Sequence, residues 1–253
     1  AVIALENVRL FKELEARNRD LTVALEQQTA TSEILRVISQ SQTDVHPVFD
    51  TILRSAVRLC DGLYGTAHRF DGELVHLTAD YNCTPEVLEA LRRAFPMRPD
   101  RQMMSGRAIL TRAVVHVEDV LADPEYAQHV GRAGGFRGVL AVPMLREGSP
   151  IGAIVVIRAQ PGSFSAVQIE LLKTFADQAV IAVENVRLFK ELQARTGELT
   201  QSVEKLTALG EVSQALSSTL DVETVLETIV SHASQLAGAA GCSIYEYDEA
   251  AEQ

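Results

Sequence analysis

Apolar residues recur at helical spacing along SAVQIELLKTFADQAVIAVENVRLFKELQARTGELTQSVEKL, a stretch of about 40 residues that begins at Ser165. Ile169, Leu172, Phe175, Ala176, Ala179, Val180, Val183, Val186 and Phe189 form a broad stripe suited to packing on a sheet. Ser165, just past the Pro161-Gly162 turn, is the predicted N-cap. From Leu192 the stripe narrows to Leu192, Thr196, Leu199, Val203, Leu206 and Gly210, the alternating four-three spacing of a coiled-coil seam. Leu14, Asn18, Leu21, Leu25, Gln28, Ser32 and Leu35 carry the same spacing near the start of the chain. The polar seam positions, with Gly197 and Gly210 in the second stem, keep both seams weak.

Between these stems the pattern shortens and alternates. DVHPVFDTILRSAVRLCD reads as an amphipathic helix capped by Asp44. YGTAHRFDGELVHLTADY reads as two strands joined at Asp71-Gly72, a strong hairpin signal. TPEVLEALRRAF predicts a helix with Thr84 as cap and Pro85 in its first turn. SGRAILTRA predicts a short helix, VVHVED a strand, and DPEYAQHVGRAG a helix closed by glycines. GVLAVPMLREGSPIGAIVVIRAQ is a second hairpin turning at REGSP. Hairpins interleaved with helices predict an α+β fold, a central antiparallel sheet flanked by helices, with long helical stems at both ends.

The chain also repeats itself. AVIALENVRLFKELEARNRDLT at Ala1 and AVIAVENVRLFKELQARTGELT at Ala179 share 17 of 22 positions. A second pair, Asp44 to Asp71 and Asp221 to Asp248, shares 8 of 28 positions, and its apolar positions largely correspond. Such a repeat predicts a tandem array. The expected boundaries are the end of one domain and a connecting helix at 1–30, a complete domain at 31–189, a stem at 190–210, and the first part of a further domain at 211–253.

Composition narrows the function. A net charge of −11 without a sizeable basic cluster argues against nucleic acid as a partner. No apolar run reaches the roughly 20 residues that span a bilayer, so no membrane segment is expected in this stretch. Three well-separated cysteines, Cys60, Cys83 and Cys242, fit free thiols in a reducing, cytoplasmic setting.

Three blocks resemble the closing third of a GAF domain: GVLAVPML, then GSPIGAIVVIR, then FSAVQIELLKTFADQAVIAVENVRLF. SGRAILTRAVVHVEDVLADPEY is similar to that family's middle segment. Linked repeats with ENVRLF stems resemble bacterial multi-GAF sensor histidine kinases and related signalling proteins. The resemblance implies a non-catalytic sensory or regulatory segment, a homodimer through its helical stems, which relays a signal to a distant output domain, a histidine kinase. The expected stem interface is Leu14, Leu21, Leu25, Leu192, Leu199, Val203 and Leu206. The alternatives are a dimerisation spacer without ligand, a cyclic-nucleotide-binding GAF domain or a thiol-dependent methionine sulfoxide reductase.

The best-known chemistries of the family meet departures here. The cyclic-nucleotide branch carries an Asn-Lys, Phe, Asp-Glu motif; this chain has Ile157-Arg158, Phe164 and Gln168-Ile169, so only the Phe matches. Covalent bilin attachment commonly uses a Cys followed by His, and no cysteine here precedes a histidine. A methionine sulfoxide reductase would need a resolving thiol beside Cys83. His116-x-Glu118 offers two metal-capable side chains on one strand face, short of the four that a structural site wants. GRAGGFRG lacks the Gly-Lys-Ser/Thr ending of a phosphate loop. A small-molecule ligand is expected between the sheet and the middle helices, its nature open and no cofactor assigned. Arg98, Met103, His116, Tyr126 and Arg137 are the candidate contacts, the arginines for a carboxylate or phosphate.

Overall fold

The computed structural model describes residues 2–126, 134–218, 222–239 and 241–245. They fall into two compact units, Ala1–Phe189 and Lys190–Gln253. In the first, helices α1 (Val2–Gln40) and α2 (His46–Leu59) precede strands β1 (Tyr64–Phe70) and β2 (Val75–Tyr81). Then come α3 (Pro85–Ala94), α4 (Met104–Thr111), the short β3 (Val115–Val117), and strands β4 (Gly138–Arg146) and β5 (Ser149–Arg158). Residues of α5 (Ala166–Ser218) as far as Phe189 complete it. The remainder of α5 and α6 (Val222–Ala237) are the described helices of the second unit. The helix expected over DPEYAQHVGRAG falls largely on residues 127–133, outside the described residues.

The sheet runs β2-β1-β5-β4-β3, and every neighbouring pair is antiparallel. Both hairpins close where the turn residues predict. Asp71 Oδ1 accepts the Glu73 and Leu74 N–H groups at 2.9 and 2.8 Å. Glu147 and Gly148 both take positive φ, 50° and 79°, as a two-residue hairpin turn of matching twist requires. Thr84 Oγ1 accepts the Val87 N–H at 3.4 Å, with Pro85 in the first turn of α3.

Two helix starts refine the sequence reading. Asp44 accepts the His46 N–H at 3.0 Å, but the N-cap position of α2 itself is Val45. At α5 the Ser165 hydroxyl accepts the Gln168 N–H at 3.3 Å, and the Gln168 side chain accepts the Ser165 N–H at 3.0 Å. That reciprocal pair is a capping box, worth about 1 kcal/mol for its hydroxyl half.

Alternation along the strands splits the core in two. Ala67, Leu140, Val142, Met144, Ile154 and Val156 meet buried residues of α1, α2 and α5, among them Ile34, Phe49, Ile52, Leu172 and Phe175. Each such large side chain contributes about 1.5–3 kcal/mol of burial. The intervening strand residues, Tyr64, Val139, Ala141, Ala153, Val155 and Ile157, face α4 and the segment around Val120 and Tyr126. The second face holds a cavity.

Candidate functional site

Strand β1 builds the floor of the cavity. Tyr64, Thr66 and His68 stand two residues apart and so share a face; Thr66 lies opposite Val155, and Tyr64 opposite Ile157, on β5. With Val139 they form the sheet side of a cavity of about 400 Å³, within the range of small-molecule sites. Helix α3 contributes Val87, Ala90, Leu91 and Ala94. The start of α4 contributes Met103, Met104 and Ser105, and the described residues on either side of 127–133 contribute Tyr126, Gly134 and Phe136. No residue of α3 is fully buried, so this wall is the least packed of the lining.

Aromatic rings meet edge to face within the site. The Tyr64 and Phe136 centroids lie 5.8 Å apart at 88°, and those of Tyr126 and Phe136 6.3 Å apart at 72°. Burial holds both tyrosine hydroxyls protonated, pushing their pKa values above the ordinary range.

His68 is the chemically singular residue. It is 2 % exposed and burial pushes its pKa down to about 3, so the ring is neutral at pH 7. Nε2 lies 2.9 Å from the Thr66 hydroxyl oxygen, and Nδ1 has no hydrogen-bond partner among the described residues. A measurable pH dependence follows. The unfolded chain takes up a proton near pH 6.5 that the folded chain refuses until about pH 3, so stability falls as pH drops through that window. Acidification from pH 7 to 5 is expected to cost about 2 kcal/mol through this residue. In His68→Gln, which keeps a group near Thr66 but does not titrate, that part of the slope disappears. Equal slopes in denaturant titrations of the two proteins would contradict it.

The five candidate contacts divide. Met103 and Tyr126 line the cavity. Arg98 does not: it is exposed and its guanidinium is paired with Glu73 at 2.8 Å. Arg137 binds Asp119 through two parallel hydrogen bonds, Nε to Oδ1 at 2.7 Å and Nη2 to Oδ2. That pairing holds the Asp119 carboxyl below the ordinary carboxylate range. His116 Nε2 accepts the Phe164 N–H at 3.0 Å, and its ring meets Phe164 edge-on. It secures the approach to α5. Thr66, His68, Tyr64 and Phe136 were missed by sequence reasoning, although the period-two spacing along YGTAHRF does place three of them on one face.

The positions matching the cyclic-nucleotide motif serve other ends. Ile157 lines the cavity. Arg158 donates from Nε and Nη2 to the Cys60 carbonyl at 2.9 and 2.6 Å, reaches the Ser163 carbonyl and Gln168, and stacks 4.0 Å from the Phe164 ring centroid. Cys60 is buried and Cys83 half-buried, and burial pushes each thiol up to about 12, far from the thiolate that redox chemistry needs. Glu118 accepts the Ser163 hydroxyl, and no metal-binding group of three or more His, Cys, Asp or Glu occurs among the described residues. No described helix is long and apolar enough to cross a membrane.

Comparison with solved structures gives the same fold at low identity. The GAF domain of a phosphoenolpyruvate-protein phosphotransferase from Acinetobacter is 16% identical with a TM-score of 0.54, covering 65% of this chain and 97% of that one. The GAF domain of the phosphoenolpyruvate-protein phosphotransferase from Coxiella burnetii is 12% identical with a TM-score of 0.55, covering 65% and 96%. Free methionine-R-sulfoxide reductase from Neisseria meningitidis, solved with its substrate, is 17% identical with a TM-score of 0.54, covering 66% and 93%. Comparison with curated proteins gives no match. A family model for the GAF domain matches residues 42–184, more than half of the chain. With the sheet, its helix-covered face and its cavity in place, the chain belongs to the GAF domain family.

Proposed function

We propose that this chain is a sensory relay segment. Residues 31–189 are its complete GAF domain, between the end of a preceding domain at 1–30 and the beginning of a further one at 211–253. A small molecule occupies the cavity, and its presence biases how two copies of the chain pack their stems, including residues 190–210. The output domain is a histidine kinase, and the setting is cytoplasmic. The cavity carries the reading: its size and its largely apolar lining are those of a small-molecule site. A non-catalytic role is supported by thiols that burial keeps protonated.

The seam residues support the homodimer. Leu14, Leu21 and Leu25 on α1, and Leu192, Leu199, Val203 and Leu206 on α5, are all more than half exposed in the single chain. A second copy is the occupant that matches a four-three seam on each stem. Weak seams suit a relay, because a switch needs two packings within a few kcal/mol of each other.

Two measurements on one preparation test this. Native mass spectrometry is expected to show a dimer carrying excess small-molecule mass that denaturation removes. In a Cys242→Ser background, which removes the exposed native thiol, cysteines at Leu199 or Val203 are expected to cross-link between copies far faster than one at Gln201. Uniform cross-linking at all three positions, with no retained mass, would sink the relay.

A further inference from the structure

The two stems are near-copies, so the places where they differ carry information. Of the five differences between the 22-residue segments, four lie between Glu15 and Asp20. They are Glu15 against Gln193, Asn18 against Thr196, Arg19 against Gly197 and Asp20 against Glu198. Only the pair Asn18 and Thr196 falls on the seam.

On α1 every described side chain from Arg9 to Glu26 is exposed, whereas Ala30 and Ile34 enter the domain core. Over that exposed length the seam positions are Phe11, Leu14, Asn18, Leu21 and Leu25. The four apolar ones are each more than half exposed. An apolar stripe on a helix contributes stability mainly when another element packs on it, so this one calls for a second helix. In heptad terms Phe11, Asn18 and Leu25 are a positions, and Leu14 and Leu21 are d positions.

Thr196 and Asn18 meet the closing of a seam differently. The Thr196 hydroxyl donates to the Leu192 carbonyl at 2.8 Å, so it is satisfied within its own helix. On α1 it is the backbone carbonyl of Asn18 that is engaged, accepting the Thr22 hydroxyl at 2.9 Å. The Asn18 side-chain amide makes no hydrogen bond among the described residues. Once water leaves the seam, that amide must find its partner on the facing helix. In a parallel, in-register pair a two-fold axis sets each a position against itself, and the two amides can bond each other. A slip of one heptad sets Asn18 against Phe11 or Leu25. An antiparallel pair, which faces a with d, sets it against Leu14 or Leu21. Only the first alignment leaves no amide stranded. Across that parallel seam the flanking g and e positions bring Leu10 to Glu15 and Arg17 to Thr22, with no like charges opposed.

We infer that Asn18 fixes the alignment of the dimer: it pairs with Asn18 of a second copy and confines the α1 stems to a parallel, in-register packing. The α5 stem, with Thr196 and Gly197 at the same places, lacks this device. The inference rests on the homodimer reading.

Cysteine exchange in the full chain tests it. In the Cys242→Ser background, single cysteines replace Leu14, Leu21 or Leu25, and one partner of each mixture is labelled with ¹⁵N. A glutathione buffer lets disulfides exchange, and mass spectrometry counts matched and mixed links. Matched links report the parallel, in-register pair. A Leu14–Leu21 mixed link reports a slip of one heptad, and a Leu14–Leu25 mixed link an antiparallel pair. With Asn18 present, matched links are expected to exceed mixed ones about tenfold, the reach of one net hydrogen bond. Two variants then remove the amide. Asn18→Leu makes the seam uniformly apolar, and Asn18→Thr copies the residue of the second stem. In both, mixed links should rise toward the statistical proportion while cross-linking persists.

Mixed links as abundant as matched ones with Asn18 present would overturn the alignment and leave the dimer standing. An undiminished excess of matched links in either variant would overturn the role of Asn18. No link at any α1 position would sink the homodimer and this inference together. Uniform cross-linking at Leu199, Val203 and Gln201, beside strict matching on α1, would sink the relay and leave the Asn18 pairing intact.

Discussion

Replacing Gly152 by alanine is expected to cost at least about 3 kcal/mol and to leave little folded protein at 37 °C. On β5, Gly152 pairs with Arg69 of β1 on one side and Met144 of β4 on the other. A Cβ built on it would collide with the His68 carbonyl oxygen and the Met144 Cε. The first obstacle is backbone, which cannot swing aside as a side-chain end can. Both neighbouring strands are irregular here. The β1–β2 register shifts between Ala67 and His68, and the β4–β5 register between Met144 and Leu145. Such bulges curve a sheet by letting backbones approach closely, and a glycine across from them makes room. The collision also involves His68, which lines the cavity, so any folded remnant of Gly152→Ala should have a displaced cavity floor. Urea unfolding compared with wild type reads the first effect. A midpoint within error of wild type would show that β1 can yield.

That glycine sits in IGAI, one of the blocks carrying the family resemblance, yet no spacing rule reveals why it must be glycine. Local chemistry was legible: Asp71-Gly72 and REGSP turned where turn residues predict, Thr84-Pro85 began a helix, and Ser165 capped another. These signals are decided within four residues. The cavity depends on which sheet face the helices of α1, α2 and α5 cover, and alternation along a strand is the same for either choice. Tyr64, Thr66 and His68 could therefore be placed together but not assigned to the open side. Arg98 and Arg137 lie outside the described lining of the cavity for a related reason. Each found a carboxylate 25 or 18 residues away in the chain, Glu73 and Asp119, and a salt bridge across loops leaves no periodic trace. Met103 and Tyr126 reach the cavity because neighbouring residues pin their loops.

The residue that pins them is Arg107, and its loss is the second large effect expected. Its side chain is only 10 % exposed. From α4 it donates Nε and Nη2 to the Arg101 carbonyl at 3.0 and 2.7 Å, and Nη1 to Asp123 Oδ2 at 2.6 Å. Arg101 in turn grips Glu125 with paired hydrogen bonds. The loop before α4, which ends in Met103, is thus tied to the segment that carries Tyr126. Burial works to raise the Asp123 carboxyl, but the Arg107 bond, the Glu125 N–H and the guanidinium charge together hold it below its ordinary value. Arg107→Met fills the same space and leaves that carboxylate largely buried without its partner, at a cost of about 3 kcal/mol at pH 7. The pH dependence should change sign. In wild type the pair stabilises above the ordinary carboxylate pKa, and the contribution is lost as pH falls through the depressed value. In the variant the Glu125 and Tyr126 N–H groups still favour the carboxylate, but burial, the largest single influence on Asp123, loses the guanidinium that opposed it and raises the pKa, so acidification relieves the penalty as the carboxyl is protonated. Arg107→Met with Asp123→Asn should recover part of the loss at pH 7, since no charge is then stranded. If the single variant were as stable as wild type at pH 7, or lost further stability on mild acidification relative to it, the clamp would be a surface pair of little weight. If instead the loss appears and the Met103 methyl signal broadens with it, the cavity wall and the buried ion pair are one cooperative element, and ligand affinity should fall with both.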